Sequence, residues 1–222
     1  MRSLKKKILI GIVSFLVIIG GVGLIWGEEI VNKLMFAMPA DTQFHSAYYN
    51  FAKKLGIDQV ATHMGFIPEN PSDPDFNGTV AALKHLCRYM KAKGQYFLFE
   101  TGQETPTTLL RTIQAIGTDN VGINLDTANV ILYGRGNPVD ALDVFGKYVM
   151  DTHIKDGFYP TNGMYLGHEA RAGDGKANIP EVVRKLIVEY GYEGPFTIER
   201  EISGEQQTID IIDTKKYLEA MI

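Results

Sequence analysis

Val121-Gly122-Ile123-Asn124-Leu125-Asp126 is an apolar, strand-like run that ends on a carboxylate. A charged group at the tip of a buried strand costs free energy unless something is bound there. The same pattern recurs in Tyr96-Phe97-Leu98-Phe99-Glu100, in Tyr148-Val149-Met150-Asp151-Thr152-His153 and in Pro195-Phe196-Thr197-Ile198-Glu199. Four such tips, separated by helix-like segments, point to one convergent site.

Working outward, the chain alternates strand-like and helix-like runs from about residue 33. Lys33 to Met38 is a short apolar run, and Asp41 can cap a helix carrying Phe44, Tyr48, Phe51 and Leu55. Gln59 to Met64 reads as a strand, Pro68 to Phe76 as a loop, and Val80 to Lys93 as a helix. Thr105-Pro106 and Asn137-Pro138 each set a capping side chain before proline, the favoured first helical residue. A further helix runs from about Pro180 to Tyr190. Gly56, Gly94, Gly117, Gly146 and Gly191 stand at helix exits, each followed by a strand. Repeating βα units give a parallel sheet, whose reactive side chains lie at the carboxyl ends of its strands. The ligand-like tips are 26, 27 and 46 residues apart. Bringing non-adjacent strand ends onto one centre favours a TIM-type (β/α) barrel over an open sheet.

Composition bounds the rest. At 222 residues and 45% hydrophobic, the chain can bury one good-sized core, and a net charge of −4 gives no basic footprint for nucleic acid. Cys87 is the only cysteine, so no intrachain disulfide forms; beside Leu83 and Leu86 it reads as a packed residue. The N-terminus differs from the remainder. Arg2, Lys5, Lys6 and Lys7 precede an uncharged run from Ile8 to Gly27, long enough to cross a bilayer as a helix of roughly 30 Å. The expectation is a transmembrane-like anchor over residues 1–29, with membrane localisation through a single pass and a barrel domain over 33–222. A cleaved signal, and a cytoplasmic domain with a mis-assigned start or a gene fusion, are the alternatives.

Three carboxylates and an imidazole form a hard, oxygen-rich donor set that suits Mn²⁺, Mg²⁺ or Co²⁺ better than Zn²⁺. A cation held there can polarise a substrate carbonyl and acidify the neighbouring C–H. Two glutamates can then remove a proton and return it. Each residue also has a plainer reading. Glu100 could cap a helix, Asp126 could hold the turn after it, His153 could be a core histidine, and Glu199 could pair with Arg200 or Lys155.

Thr62-His63-Met64-Gly65-Phe66-Ile67-Pro68, Phe99-Glu100-Thr101-Gly102-Gln103-Glu104, Asn124-Leu125-Asp126-Thr127-Ala128-Asn129, His153-Ile154-Lys155-Asp156-Gly157 and Ile198-Glu199-Arg200-Glu201 resemble the sugar-phosphate isomerase/epimerase family of xylose isomerase-like barrels. So does Gly173-Asp174-Gly175-Lys176. The resemblance implies a metal held by Glu100, Asp126, His153 and Glu199, with Glu100 and Glu199 as the catalytic acid/base pair. It implies a small carbohydrate substrate: a sugar, sugar phosphate or polyol. It matches His63 to a histidine that lines the site in some members; Asn129, Lys155 and Glu169 are further candidates to face the substrate.

Departures from the family pattern narrow this further. Asn129 stands where the nuclease branch has a zinc-binding histidine, which argues against phosphodiester cleavage. Glu169 stands where ketose epimerases carry a substrate-contacting arginine, while Lys155 and Arg171 are expected in solvated salt bridges. The barrel is expected to be N-terminally incomplete by two βα units, leaving edges that a homodimer could cover. An inosose-type dehydratase and a membrane-tethered, non-catalytic barrel binding sugar or a partner are the alternative functions.

Overall fold

The computed structural model describes residues 43–222, with side chains described from residue 49 onward. The hydrophobic run at 8–27, the apolar run at 33–38 and the capping role of Asp41 lie outside the described residues.

Helix α1 (Gln43–Lys54) forms near where its sequence predicts and stops at Gly56, whose φ of 75° is the left-handed value glycine tolerates. Of the expected apolar face, Phe51 and Leu55 are exposed, while among the described side chains of this helix Tyr49 and Ala52 are buried; the side chains of Phe44 and Tyr48 lie outside the described residues.

From Asp58 onward the chain builds parallel βα units. The strands are β1 (Gln59–Thr62), β2 (Tyr96–Glu100), β3 (Val121–Asp126) and β4 (Val149–Ile154), followed after a hairpin by β7 (Thr197–Ile198). They form one five-stranded parallel sheet in the order β1-β2-β3-β4-β7, curled into a half-barrel consistent with a TIM-type barrel. The register sets Glu100 beside Asn124, Asp126 beside His153, and His153 beside Thr197. Strand alternation sends Phe97, Phe99, Ile123 and Leu125 outward, where all four are buried. Helix α2 (Pro74–Lys91) packs on β2 and buries Leu83, Cys87 and Met90, and α3 (Pro106–Ile116) buries Leu109, Ile113 and Ile116. Burial pushes the Cys87 thiol up to about 11, as its reading as a packed residue requires.

Thr105 and Asn137 cap α3 and α5 (Pro138–Phe145) as expected, accepting hydrogen bonds from the N–H groups of Thr108 and Asp140. The same device opens α2, where Asp73 accepts from the Asp75 N–H ahead of Pro74. The helix expected from Val80 therefore begins at Pro74, and the loop before it is shorter. Between β3 and α5 lies a single-turn helix, α4 (Asn129–Leu132). An unforeseen antiparallel hairpin, β5 (Asp156–Phe158) with β6 (His168–Ala170), follows β4. Helix α6 (Ile179–Arg184) continues through a wider turn at Lys185–Glu189 to Gly191, and α7 (Glu205–Glu219) closes the described chain.

The membrane localisation expected from the sequence is corrected. Among the described residues, no helix is long and apolar enough to cross a membrane. The reason is visible in α2, which at 18 residues is long but one-sided: Phe76, Leu83, Cys87 and Met90 are buried, while Asp75, Lys84, Arg88 and Lys91 share the same helix.

Candidate metal centre

The site is built on the carboxyl ends of β2, β3, β4 and β7. Glu100, Asp126 and His153 are the last or near-last residues of their strands, and Glu199 follows β7 directly, its N–H donating to the Ile154 carbonyl at 3.2 Å. Each of the four offers one ligand atom, and these atoms lie within 4.8 Å of one another.

Two threonines lock the strand tips in place, each directly after a ligand-like residue. Thr101, after Glu100, donates to the Asp126 carbonyl at 2.9 Å and accepts from the Asp126 N–H at 3.0 Å. Thr127, after Asp126, accepts from the Lys155 N–H at 3.0 Å. Below them, Gly122 leaves the room that Met150 occupies, since a Cβ there would lie 2.6 Å from the Met150 sulfur. This packing forms the floor of the site.

Charges of both signs meet at the centre. His153 Nδ1 lies 3.1 Å from Glu100 Oε1 and 3.3 Å from Glu199 Oε2. Burial alone would lower the His153 imidazole, but hydrogen bonding and charge from Glu100 and Glu199 push it up to about 10. Burial drives the Asp126 carboxyl up, with the charge of Glu199 adding to the rise against the pull of Lys155. Burial would also raise Glu199, yet His153 and Lys155 hold its carboxyl below the ordinary range.

Asp126 divides its two oxygens between two tasks. Oδ1 accepts the N–H groups of Ala128 and Asn129, both at 2.8 Å, which holds the turn. Oδ2 is buried without a hydrogen bond, 3.6 Å from Lys155 Nζ, and Glu199 Oε2 is likewise buried without one, 3.3 Å from His153 Nδ1 and 3.5 Å from Lys155 Nζ. Two such buried carboxylate oxygens, held by cations alone beside a third carboxylate, fit a divalent cation.

The remaining expected site residues are placed as follows. His63, half-exposed, sets Nε2 3.4 Å from Glu100 Oε1, in space left by Gly102. Lys155 departs from its expected solvated bridge. It is 2% exposed, with Nζ 3.6 Å from Asp126, 3.5 Å from Glu199 and 2.7 Å from Glu201. Its ammonium tolerates burial because three carboxylates surround it. Asn129 is buried at the start of α4, and Arg171 pairs at the surface with Asp174 at 2.9 Å. Glu169 pairs with Arg200 at 2.9 Å and accepts the Glu201 N–H at 3.1 Å, which ties the β5–β6 hairpin to the segment after Glu199.

Sequence reasoning passed over Asn124, whose side-chain Nδ2 lies 3.1 Å from His153 Nε2. The available signal was its place two residues before Asp126, on the same face of β3. It also passed over Asp156, whose carboxylate accepts the N–H groups of Gly157, Gly173, Gly175 and Ala177 at 2.8 to 3.0 Å.

Comparison with known proteins follows the same lines. The family model described as xylose isomerase-like TIM barrel matches residues 47–220. Among solved structures, a xylose isomerase domain protein from Planctomyces limnophilus is 35% identical, with a TM-score of 0.74, over 78% of this chain and 63% of that one. A xylose isomerase-like TIM barrel protein from Mycobacterium smegmatis, solved in complex with magnesium, is 19% identical (TM-score 0.61; 78% and 64% covered). A D-tagatose 3-epimerase-like protein is 23% identical (TM-score 0.61; 82% and 73% covered). The chain thus spans somewhat less than two-thirds of the first two relatives, at 63% and 64% of their lengths. No curated protein matches it. With a family model covering most of its length and a curled parallel sheet carrying the acidic cluster, the chain belongs to the xylose isomerase-like TIM barrel family.

Proposed function

We propose that the chain is a divalent-metal-dependent isomerase or epimerase of a small sugar, sugar phosphate or polyol, with its catalytic unit over residues 33–222. The observation that carries this reading is the meeting of Glu100, Asp126, His153 and Glu199 within 4.8 Å, with two buried carboxylate oxygens lacking hydrogen bonds. These four residues would hold Mn²⁺, Mg²⁺ or Co²⁺, which when bound polarises a substrate carbonyl. Magnesium in one relative and the epimerase-like name of another support the same reading.

The chain's own groups supply the proton chemistry. Glu100 and Glu199 both approach His153 Nδ1 and come from strands on either side of β3 and β4. A carbon held between them can lose a proton to one carboxylate and regain it from the other. Lys155 neutralises charge shared by Asp126 and Glu199, and His63, half-exposed beside Glu100, is the side chain best placed to meet a sugar hydroxyl. Asn129 and Glu169 would then act through the turn and hairpin they hold.

The test is proton exchange at the α-carbon of a panel of ketoses in deuterated water with Mn²⁺ present. The reading expects exchange that Glu100→Gln and Glu199→Gln abolish. Sugar binding without exchange would replace it with a non-catalytic binding barrel.

A further inference from the structure

The two ring nitrogens of His153 face different partners. Nδ1 is turned to Glu100 and Glu199, while Nε2 lies 3.1 Å from the Asn124 amide. A ring nitrogen ligates a cation only through its lone pair, so a ligating Nδ1 requires the proton on Nε2. That N–H, buried inside the half-barrel, then requires an acceptor.

Asn124 is fully buried, and its Oδ1 has no hydrogen bond. A half-turn of the amide about its Cβ–Cγ bond exchanges Nδ2 for Oδ1 at the same distance from Nε2. We propose that Asn124 is the positioning residue that sets the His153 tautomer, accepting Nε2–H through Oδ1 so that Nδ1 presents its lone pair to the carboxylate cluster. This inference rests on the reading of Glu100, Asp126, His153 and Glu199 as one ligand set.

An amide suits the task better than the alternatives. Oδ1 accepts from Nε2–H both when the ring is an imidazolium facing the glutamates and when Nδ1 is engaged by a cation. Aspartate accepts in the same way but adds a fourth carboxylate to a crowded site. Leucine, of similar shape, cannot accept.

The experiment combines ¹⁵N spectra of the histidine rings in the full chain loaded with Mg²⁺ and titration of Mn²⁺ binding. The His153 signal is assigned by its loss in His153→Asn. The expected result is a slowly exchanging Nε2–H in the wild type. Asn124→Leu loses that protected proton and weakens Mn²⁺ binding by about 10–100-fold, as loss of an outer partner of a ligating histidine does. Asn124→Asp restores both and moves the Nε2–H proton downfield. Mn²⁺ binding unchanged in Asn124→Leu, with the ring proton still protected, overturns the inference and leaves the ligand set standing. A wild type that binds no Mn²⁺ overturns the ligand set and the inference together. Should Asn124→Leu fail to fold, Asn124→Asp decides alone: a downfield shift supports the role, and an unshifted proton refutes it.

Discussion

His153 Nδ1 lies 3.1 Å from Glu100 Oε1 although 53 residues separate them and their strands, β4 and β2, are not neighbours. In a flat sheet, strands two apart stand nearly 10 Å from one another. The curl of the sheet, with β3 between them, brings the two tips together on its inner side.

The double duty of Asp126 can be split by one substitution. Asp126→Asn keeps an oxygen to accept the Ala128 and Asn129 N–H groups but removes the charge at Oδ2. The expected outcome is a urea midpoint close to wild type with Mn²⁺ affinity reduced by at least about tenfold. Asp126→Ala should lose both turn and metal. Equal Mn²⁺ affinity in Asp126→Asn would make Asp126 a turn residue only.

For catalysis, Glu100→Gln and Glu199→Gln each remove one member of the acid/base pair at nearly constant volume. Loss of a positioned acid or base lowers rates by about 10²–10⁴-fold. Hydrogen–deuterium exchange on an active ketose should fall by that order in each variant. A variant with wild-type exchange would remove its glutamate from the proposed role.

Asp156 is expected to be the main fastener of the Gly173–Ala177 loop. Its carboxylate satisfies four backbone N–H groups, and Gly175 approaches so closely that a Cβ there would lie 2.1 Å from Oδ1. Asp156→Ala strands buried donors and should cost about 3 kcal/mol or more in urea unfolding. Limited proteolysis should then cut near residues 171–177. An unaltered midpoint with a protected loop would contradict this.

Glu104 gives the fold a pH dependence of defined sign. Burial raises its carboxyl to about 7, from 4.5, against the opposing pull of its own backbone N–H and Arg135. Between those values the unfolded chain binds fewer protons than the folded one, so this contribution is complete below the lower pH and lost as pH rises through the upper. Glu104→Gln keeps a neutral side chain throughout. It should match wild type near pH 4 and exceed it by about 2–3 kcal/mol near pH 8. Equal stabilities at both pH values would show that Glu104 is not held protonated.

Local signals in the sequence carried much of this architecture. Strands β2 and β3 fall where their apolar runs end, and proline after Thr105 or Asn137 marks a helix start. The four ligand-like tips were legible because each is a charged or imidazole group ending an apolar run. What stayed hidden depends on partners distant in sequence. Lys155 is buried because Asp126, Glu199 and Glu201 surround it, and Asn124 has a role only because β4 places His153 beside it. The β5–β6 hairpin is fixed by stacking of Phe158 on His168 and by the Glu169–Arg200 pair, neither of which has a local pattern.

The most direct measurement is calorimetric titration of the purified, metal-stripped chain with Mn²⁺, alongside Asp126→Asn and His153→Asn. The account predicts one ion per chain, with affinity lowered at least about tenfold in each variant. Absence of binding, or binding that both substitutions leave intact, would contradict a shared ion among Glu100, Asp126, His153 and Glu199.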